Sequence, residues 1–172
     1  MKAILKLAIV SFFIIGVITV NALEIGKPAP DFTLTDQHHQ PQSLSQMKGK
    51  WVVLYFYPKD ETPGCIAEAC SFRDNIVAIK AKNTVVIGVS VDNNESHELF
   101  AENHQLPFIL LADPKGSVAK KYGSLRNLVL FKIAKRHSFI IDPQGNIAKI
   151  YRDVNPKLHV AEILKDLKSL QK

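Results

Sequence analysis

Two kinds of apolar run alternate along the chain. Trp51–Tyr57 is continuous, apolar and rich in β-formers, the pattern of a strand buried on both faces. Thr84–Val91 repeats the pattern, and Phe108–Leu111 is a shorter third case. Between these runs the period changes. After Cys65, apolar side chains recur at Ile66, Ala69, Phe72, Ile76 and Ile79 with polar residues between them, which predicts a helix. Glu95–Asn103 predicts a second helix, with Ser96, Glu98 and Glu102 facing water. Ser117–Tyr122 predicts a short one stopped by Gly123. His137–Ile141 and Ile147–Tyr151 are expected strands, joined through the hairpin turn Asp142-Pro143-Gln144-Gly145-Asn146. Pro156–Leu170 closes the chain as an amphipathic helix, apolar at Leu158, Ala161, Ile163, Leu164, Leu167 and Leu170.

The segments upstream of Trp51 are weaker. Ile25–Pro30 is an extended, proline-punctuated lead-in, Asp31–Thr35 alternates like a short strand, Gln37–Pro41 is a polar turn, and Ser43–Lys48 forms a helical turn closed by Gly49. Ser124–Ala134 has apolar residues but no period, and is expected to be a loop covering the site. The order β-α-β-α-β-α-β-β-α predicts an α/β fold: a central mixed β-sheet flanked by helices on both faces. With its final hairpin and closing helix, it resembles a thioredoxin-like domain in outline.

Composition adds one domain and little else. The 172 residues are 47% hydrophobic and 22% charged, ordinary for a single globular unit. Lys2 and Lys6 contribute two of the +6 net charge, and the remaining +4 is dispersed. That balance argues against nucleic acid as a partner. The N-terminus has a separate logic. Met1–Lys6 holds two lysines and no acid, Leu7–Val20 is uncharged, and Val20-Asn21-Ala22 offers small side chains for a signal peptidase. Residues 1–22 are therefore expected to be a signal peptide cleaved after Ala22, leaving the domain 23–172. The apolar run is shorter than the ~20 residues of a membrane span; an uncleaved anchor is the alternative. Leu23 in place of a cysteine argues against a lipoprotein signal. The expectation is export, into the periplasm if the source is bacterial, with no stable membrane association once processed.

Export puts the only two cysteines, Cys65 and Cys70, in an oxidising compartment. Cys65 follows the turn Pro58–Gly64 between a strand and a helix, so it lies in the first helical turn. Free backbone N–H groups and the helix dipole favour a thiolate there. On an intact helix, two residues five apart have Cα atoms roughly 8–9 Å apart. A disulfide needs about 7 Å or less. A structural staple is therefore a poor reading of the pair, and a redox cycle in which the first turns unwind is a better one. The matching chemistry is thiolate attack on a peroxide O–O bond, giving a sulfenic acid that a second thiol converts to a disulfide. Thr62 can donate and accept, Pro58 and Pro63 stiffen the turn, and a nearby guanidinium would complete the site.

Pro58-x-x-x-Thr62-x-x-Cys65 resembles the active-site signature of the peroxiredoxins. The longer run Tyr57-Pro58-Lys59-x-x-Thr62-Pro63-Gly64-Cys65-x-x-x-x-Cys70-x-Phe72-Arg73-Asp74 resembles their bacterioferritin-comigratory-protein, or Q-type, subgroup. Further similar stretches are Gly26-x-x-Ala29-Pro30-Asp31-Phe32-x-Leu34, Gly88-Val89-Ser90-x-Asp92 with His97 and Phe100, Leu110-Leu111-x-Asp113, and Arg136-x-Ser138-Phe139-Ile140-Ile141-Asp142-x-x-Gly145. The resemblance implies a thioredoxin fold and thiol peroxidase activity on hydrogen peroxide and organic hydroperoxides. It implies Cys65 as the peroxidatic cysteine, Cys70 as the resolving one, and Pro58, Thr62 and Arg136 as further site residues. It also implies a monomer recycled by thioredoxin. An export signal departs from that pattern, and a thioredoxin-like protein outside the cytosol becomes the expected reductant. No cofactor or metal is implied.

The remaining candidates have plainer readings. Arg73 reads as a structural ion pair with Asp74 or a partner across the fold. Glu68, one turn from Cys65, could organise the site but reads rather as a solvated helix position. His38-His39 reads as a polar turn, and His97 and His104 join no metal set with His137, His159 or the cysteines. The rival functions are an exported thiol–disulfide oxidoreductase of the same fold, which usually carries Cys-x-x-Cys, and a binding domain with a structural disulfide.

Overall fold

The computed structural model describes residues 23–172. The expected signal segment, 1–22, lies outside the described residues. The chain runs β1 (Thr33–Asp36), β2 (Pro41–Ser43), a 3-10 turn (Leu44–Met47), β3 (Trp51–Phe56), α1 (Pro63–Asp74), α2 (Ile76–Lys80), β4 (Thr84–Ser90), α3 (Asn94–His104), β5 (Ile109–Ala112), α4 (Ser117–Lys121), β6 (Leu125–Asn127), β7 (Lys132–Ala134), β8 (Ser138–Ile141), β9 (Ile147–Tyr151) and α5 (His159–Leu170).

Seven strands form one mixed sheet in the order β2-β1-β5-β4-β3-β8-β9. β3, β4 and β5 are parallel, and β8 and β9 return antiparallel beyond β3. The continuous apolar runs are the central strands, and each is buried on both faces. Val53, Tyr55 and Tyr57 face a core built with Ala69 and Phe72 of α1, Ile79 of α2, Phe100 of α3 and Val160, Ile163 and Leu167 of α5. Val52, Leu54 and Phe56 face the opposite core with Phe32, Val118, Tyr122 and Phe139. The two-residue period of β3 thus divides its side chains between two layers.

Four local expectations are corrected. The helix after Cys65 is not continuous to Ile79. It breaks at Asn75, whose side-chain amide donates to the Ser71 carbonyl at 2.9 Å and competes with the helical ladder. The closing helix starts at His159 because Asn155–Leu158 forms a turn first, with the Lys157 N–H donating to Asn155 Oδ1 at 3.0 Å. Its buried stripe is His159, Val160, Ile163 and Leu167, while Leu158 is exposed. Pro41–Ser43 forms an edge strand on β1, with Leu34 paired to Gln42. Ser124–Ala134 holds a small antiparallel hairpin, β6 with β7, rather than a structureless loop.

Gly88 in β4 shows how tightly the first core is filled. A Cβ there would lie 2.8 Å from the Tyr55 ring and 2.9 Å from Leu110. Gly88→Ala should therefore destabilise the protein by about 1–3 kcal/mol through overpacking. Urea denaturation measures it, and an unchanged midpoint would contradict the close approach.

Candidate active site

The site forms at the carboxyl end of β3. Strand pairing brings its two halves together. Tyr55 pairs with Ser138 in the antiparallel β3–β8 ladder, and the Phe56 N–H donates to the His137 carbonyl at 2.8 Å. Arg136, one residue earlier, consequently lies beside the chain where it leaves β3 for Pro58. Thr62 caps α1, Pro63 occupies its first position, and Cys65 its third. The Thr62 carbonyl accepts from both the Cys65 and Ile66 N–H groups, at 3.0 and 2.9 Å.

Arg136 Nη2 donates to Cys65 Sγ at 3.3 Å, and its Nη1 is paired with Glu68 Oε2. Cys65 is 1% exposed and Glu68 is fully buried. The sulfur thus sits at a helix N-terminus with a guanidinium aimed at it, an arrangement that suits an anionic sulfur or an oxygen developing charge. Gly64 makes room for it, since a Cβ there would lie 3.2 Å from Arg136 Nη2. Burial opposes the charge of Arg136, but Glu68 and Cys65 outweigh it and raise its pKa.

Glu68 corrects the sequence reading. Its place one turn from Cys65 was legible in the spacing, but it is no solvated position: it is buried on the Cys65 face of α1. Burial raises its pKa to about 7, against the lowering effect of Arg136. Its Oε1 has no hydrogen-bond partner.

The turn before Thr62 is held by α3, where Ser96, expected to face water, is instead half-buried and bonded to Asp60. Asp60 accepts from Tyr57 Oη at 2.7 Å and Ser96 Oγ at 2.7 Å, and lies 2.8 Å from His97 Nδ1. His97 Nε2 lies 3.1 Å from the Leu111 carbonyl. Burial pushes the Asp60 carboxyl up, yet the hydrogen bond from His97, its charge, and those from Ser96 and Tyr57 carry it below the usual value. The Asp60 N–H donates to Asp92 Oδ2 at 2.9 Å. Glu61 adopts a left-handed φ of 57°, a costly conformation for a side-chain-bearing residue, while Asn103 and His104 bind its carboxylate at 3.0 Å each. The only sequence signal for this clamp was the recurrence of Asp92 and His97 in the family-like stretch.

The other expected residues fall as follows. Cys70 lies on α1 with Cys65, half-buried, and both are free thiols. Thr62 Oγ1 donates to the Lys59 carbonyl at 3.0 Å, so its remaining capacity is as an acceptor. Pro58 and Arg136 line a common cleft of about 690 Å³ with Arg126, Ile133, Arg152 and Asp153. Arg73 donates to Asp74 at 2.8 Å and to the His104 carbonyl at 2.8 Å, and so ties α1 to α3. Among the described residues, no three His, Cys, Asp or Glu side chains gather as a metal site.

The AhpC/TSA family pattern matches residues 25–150. Peroxiredoxin Bcp of Bacillus subtilis is 42% identical over 158 residues, covering 86% of this chain and 97% of that protein. Peroxidoxin BcpB of Mycobacterium tuberculosis superposes with a TM-score of 0.82 at 31% identity, covering 88% of this chain and all of the other. Xanthomonas campestris bacterioferritin comigratory protein, a structure described for its alkyl peroxide reduction activity, superposes at 0.79 with 25% identity over 87% of this chain and 100% of that one. The chain belongs to the AhpC/TSA family of thiol peroxidases, within its peroxiredoxin Q/Bcp group. The protein is an oxidoreductase with the thioredoxin-like fold of that family.

Glu68 gives α1 a pH-dependent stability. In an unwound α1 its carboxyl regains water and its ordinary pKa of 4.5; in the folded helix the value is about 7. Below pH 4.5 it is protonated either way and pH has no effect through this group. Between pH 4.5 and 7 only the unwound helix ionises the acid, so the folded helix loses stability across that window; above 7 both forms are ionised and the loss levels off. Amide exchange of Cys65–Phe72, corrected for intrinsic rates, should therefore lose protection between pH 4.5 and 7, by at most about tenfold per unit, and change little above that. The loss should vanish in Glu68→Gln; pH-independent protection in the unmodified protein would contradict it.

Proposed function

We propose that this peroxidase is an exported enzyme of the domain 23–172 that works through Cys65 as peroxidatic and Cys70 as resolving cysteine. The observation that carries the reading is the buried Cys65 sulfur at the start of α1 with Arg136 Nη2 donating to it at 3.3 Å. An ionised Cys65 sulfur attacks the terminal oxygen of the peroxide. The S–O bond forms, the O–O bond breaks, and hydroxide or alkoxide leaves and takes up a proton. Arg136 is placed to donate to the oxygen on which charge develops. Pro58 screens the sulfur from water, and Thr62 accepts a hydrogen bond from the hydroperoxide.

The product is a sulfenic acid on Cys65. Condensation with the Cys70 thiol expels water and leaves a disulfide. Both cysteines lie within α1, where an ideal helix holds residues five apart at roughly 8–9 Å between Cα atoms, so α1 must unwind first. Buried Glu68 with its unpartnered oxygen eases that unwinding. A dithiol protein of thioredoxin type then returns two electrons and restores both thiols. Hydrogen peroxide and organic hydroperoxides are the proposed substrates, and a monomer suffices, since every proposed site residue comes from one chain.

Cys65→Ser should abolish peroxide consumption. Cys70→Ala should retain one rapid turnover, then stop and accumulate sulfinic acid on Cys65; sustained turnover by that variant with the reductant would remove Cys70 from the mechanism. Export is tested separately by the intact mass of protein recovered from outside the cytosol, which should begin at Leu23. A chain retaining residues 1–22 would point to the anchored alternative.

A further inference from the structure

The β6–β7 hairpin ends in Leu128-Val129-Leu130-Phe131, closed by the Leu128 N–H donating to the Phe131 carbonyl at 2.8 Å. Val129, Leu130 and Phe131 are 102, 90 and 59% exposed. The first two are the most exposed large apolar side chains among the described residues. Single exposed apolar residues are ordinary, but three in succession at a hairpin tip are an aggregation hazard unless something covers them. The fold does not need them there. The hairpin is attached through Leu125 and Ala134, which pack in the core beside β3 and β8.

The charges around the tip are one-sided. Arg126, Lys132 and Lys135 flank the hairpin strands, and Lys59 and Arg152 stand on the adjoining rims, against the carboxylates of Asp92 and Asp153. An apolar wedge inside a collar of cations suits the interface of an anionic bilayer, where acyl chains accept the wedge and phosphates accept the collar. A protein partner would instead have to supply a pocket deep enough for a protruding tip.

The base of this hairpin also walls the reactive cleft. Arg126, Ile133 and Ala134 line the same cavity as Pro58 and Arg136, the residue that reaches the Cys65 sulfur. We propose that the β6–β7 tip docks reversibly on anionic membrane surfaces and turns the cleft lined by Pro58 and Arg136 toward hydroperoxides of membrane lipids. The substrate half of this proposal rests on the peroxidase reading above; the docking half does not. On such a substrate Cys65 takes the terminal oxygen, the O–O bond breaks, and the lipid alkoxide leaves as the alcohol after protonation. Three apolar side chains give a transient contact, far short of a membrane-spanning anchor.

The test uses the chain 23–172 with vesicles of phosphatidylcholine alone or mixed with phosphatidylglycerol. Co-sedimentation should favour the anionic vesicles by about tenfold or more and fall with added salt. Val129→Ser with Leu130→Ser should reduce it by a similar factor, and Arg126→Glu with Lys132→Glu should do the same. Val129 and Leu130 lie at the exposed tip and line no part of the cleft with Pro58 and Arg136, so hydrogen peroxide consumption by the serine variant should be unchanged. With peroxidised phospholipid in anionic vesicles, the serine variant should turn over more slowly than the unmodified protein. Failure of the unmodified protein to sediment with anionic vesicles would overturn the docking and leave the tip to a protein partner. Equal sedimentation of the serine variant would overturn it as well. Equal turnover of vesicle hydroperoxide would overturn the substrate assignment. Loss of the peroxidase reading would show separately, as unmodified protein inert toward hydrogen peroxide.

Discussion

The Arg136 guanidinium is shared between two groups of one helix, the Cys65 sulfur and the Glu68 carboxylate, and the architecture around the site follows from holding it there. Its place is set by backbone pairing rather than by its own side chain. The β3–β8 ladder puts Ser138 opposite Tyr55, so the residues before Ser138 run alongside the turn after β3. The same turn starts α1 and delivers Cys65 to its third position. A slip of one residue in that ladder would exchange the faces of β8 and carry Arg136 away from the sulfur. The burial of Phe139, Ile140 and Ile141 between two cores opposes any such slip.

In the proposed cycle, helix α1 must meet two opposing demands. Folded, it holds the sulfur beneath the guanidinium and buries Ala69 and Phe72. Unwound, it can bring Cys70 to Cys65. The folded state is accordingly furnished with a weak point: a fully buried carboxyl with one oxygen lacking a partner, raised to about pH 7 by its burial. The preceding turn is built the other way. Asp60 is bound by Tyr57, Ser96 and His97, and Glu61 keeps its left-handed backbone through Asn103 and His104. A rigid clamp from α3 thus meets a helix that opens in the proposed cycle, and the boundary between them falls at Cys65.

Most central elements were legible in the sequence because their burial imposes a pattern. β3 and β4 are apolar throughout since both faces are covered, and the Asp142–Asn146 turn is written in residues suited to it. The misread segments are those decided by side-chain hydrogen bonds or edge pairing. Asn75 breaks a helix whose apolar spacing continues through it, Asn155 delays the start of α5, and Pro41–Ser43 is a strand only because β1 offers an edge. Ser124–Ala134 showed no period because its hairpin buries little and leaves its tip in water.

By itself, the sequence determined the proposed reactive group: a lone cysteine pair, the first in the opening turn of a helix behind a proline-stiffened turn, with spacing that forbids a bond while the helix is whole. Those are local properties, carried by residues close together in the chain. Tertiary structure alone decided that Glu68 is buried against Arg136, that Asp60 and His97 meet across 37 positions, and that three apolar residues project beside the cleft. Each depends on which surfaces pack together, and burial and long-range pairing are properties of the assembled sheet and helices rather than of any short stretch of chain.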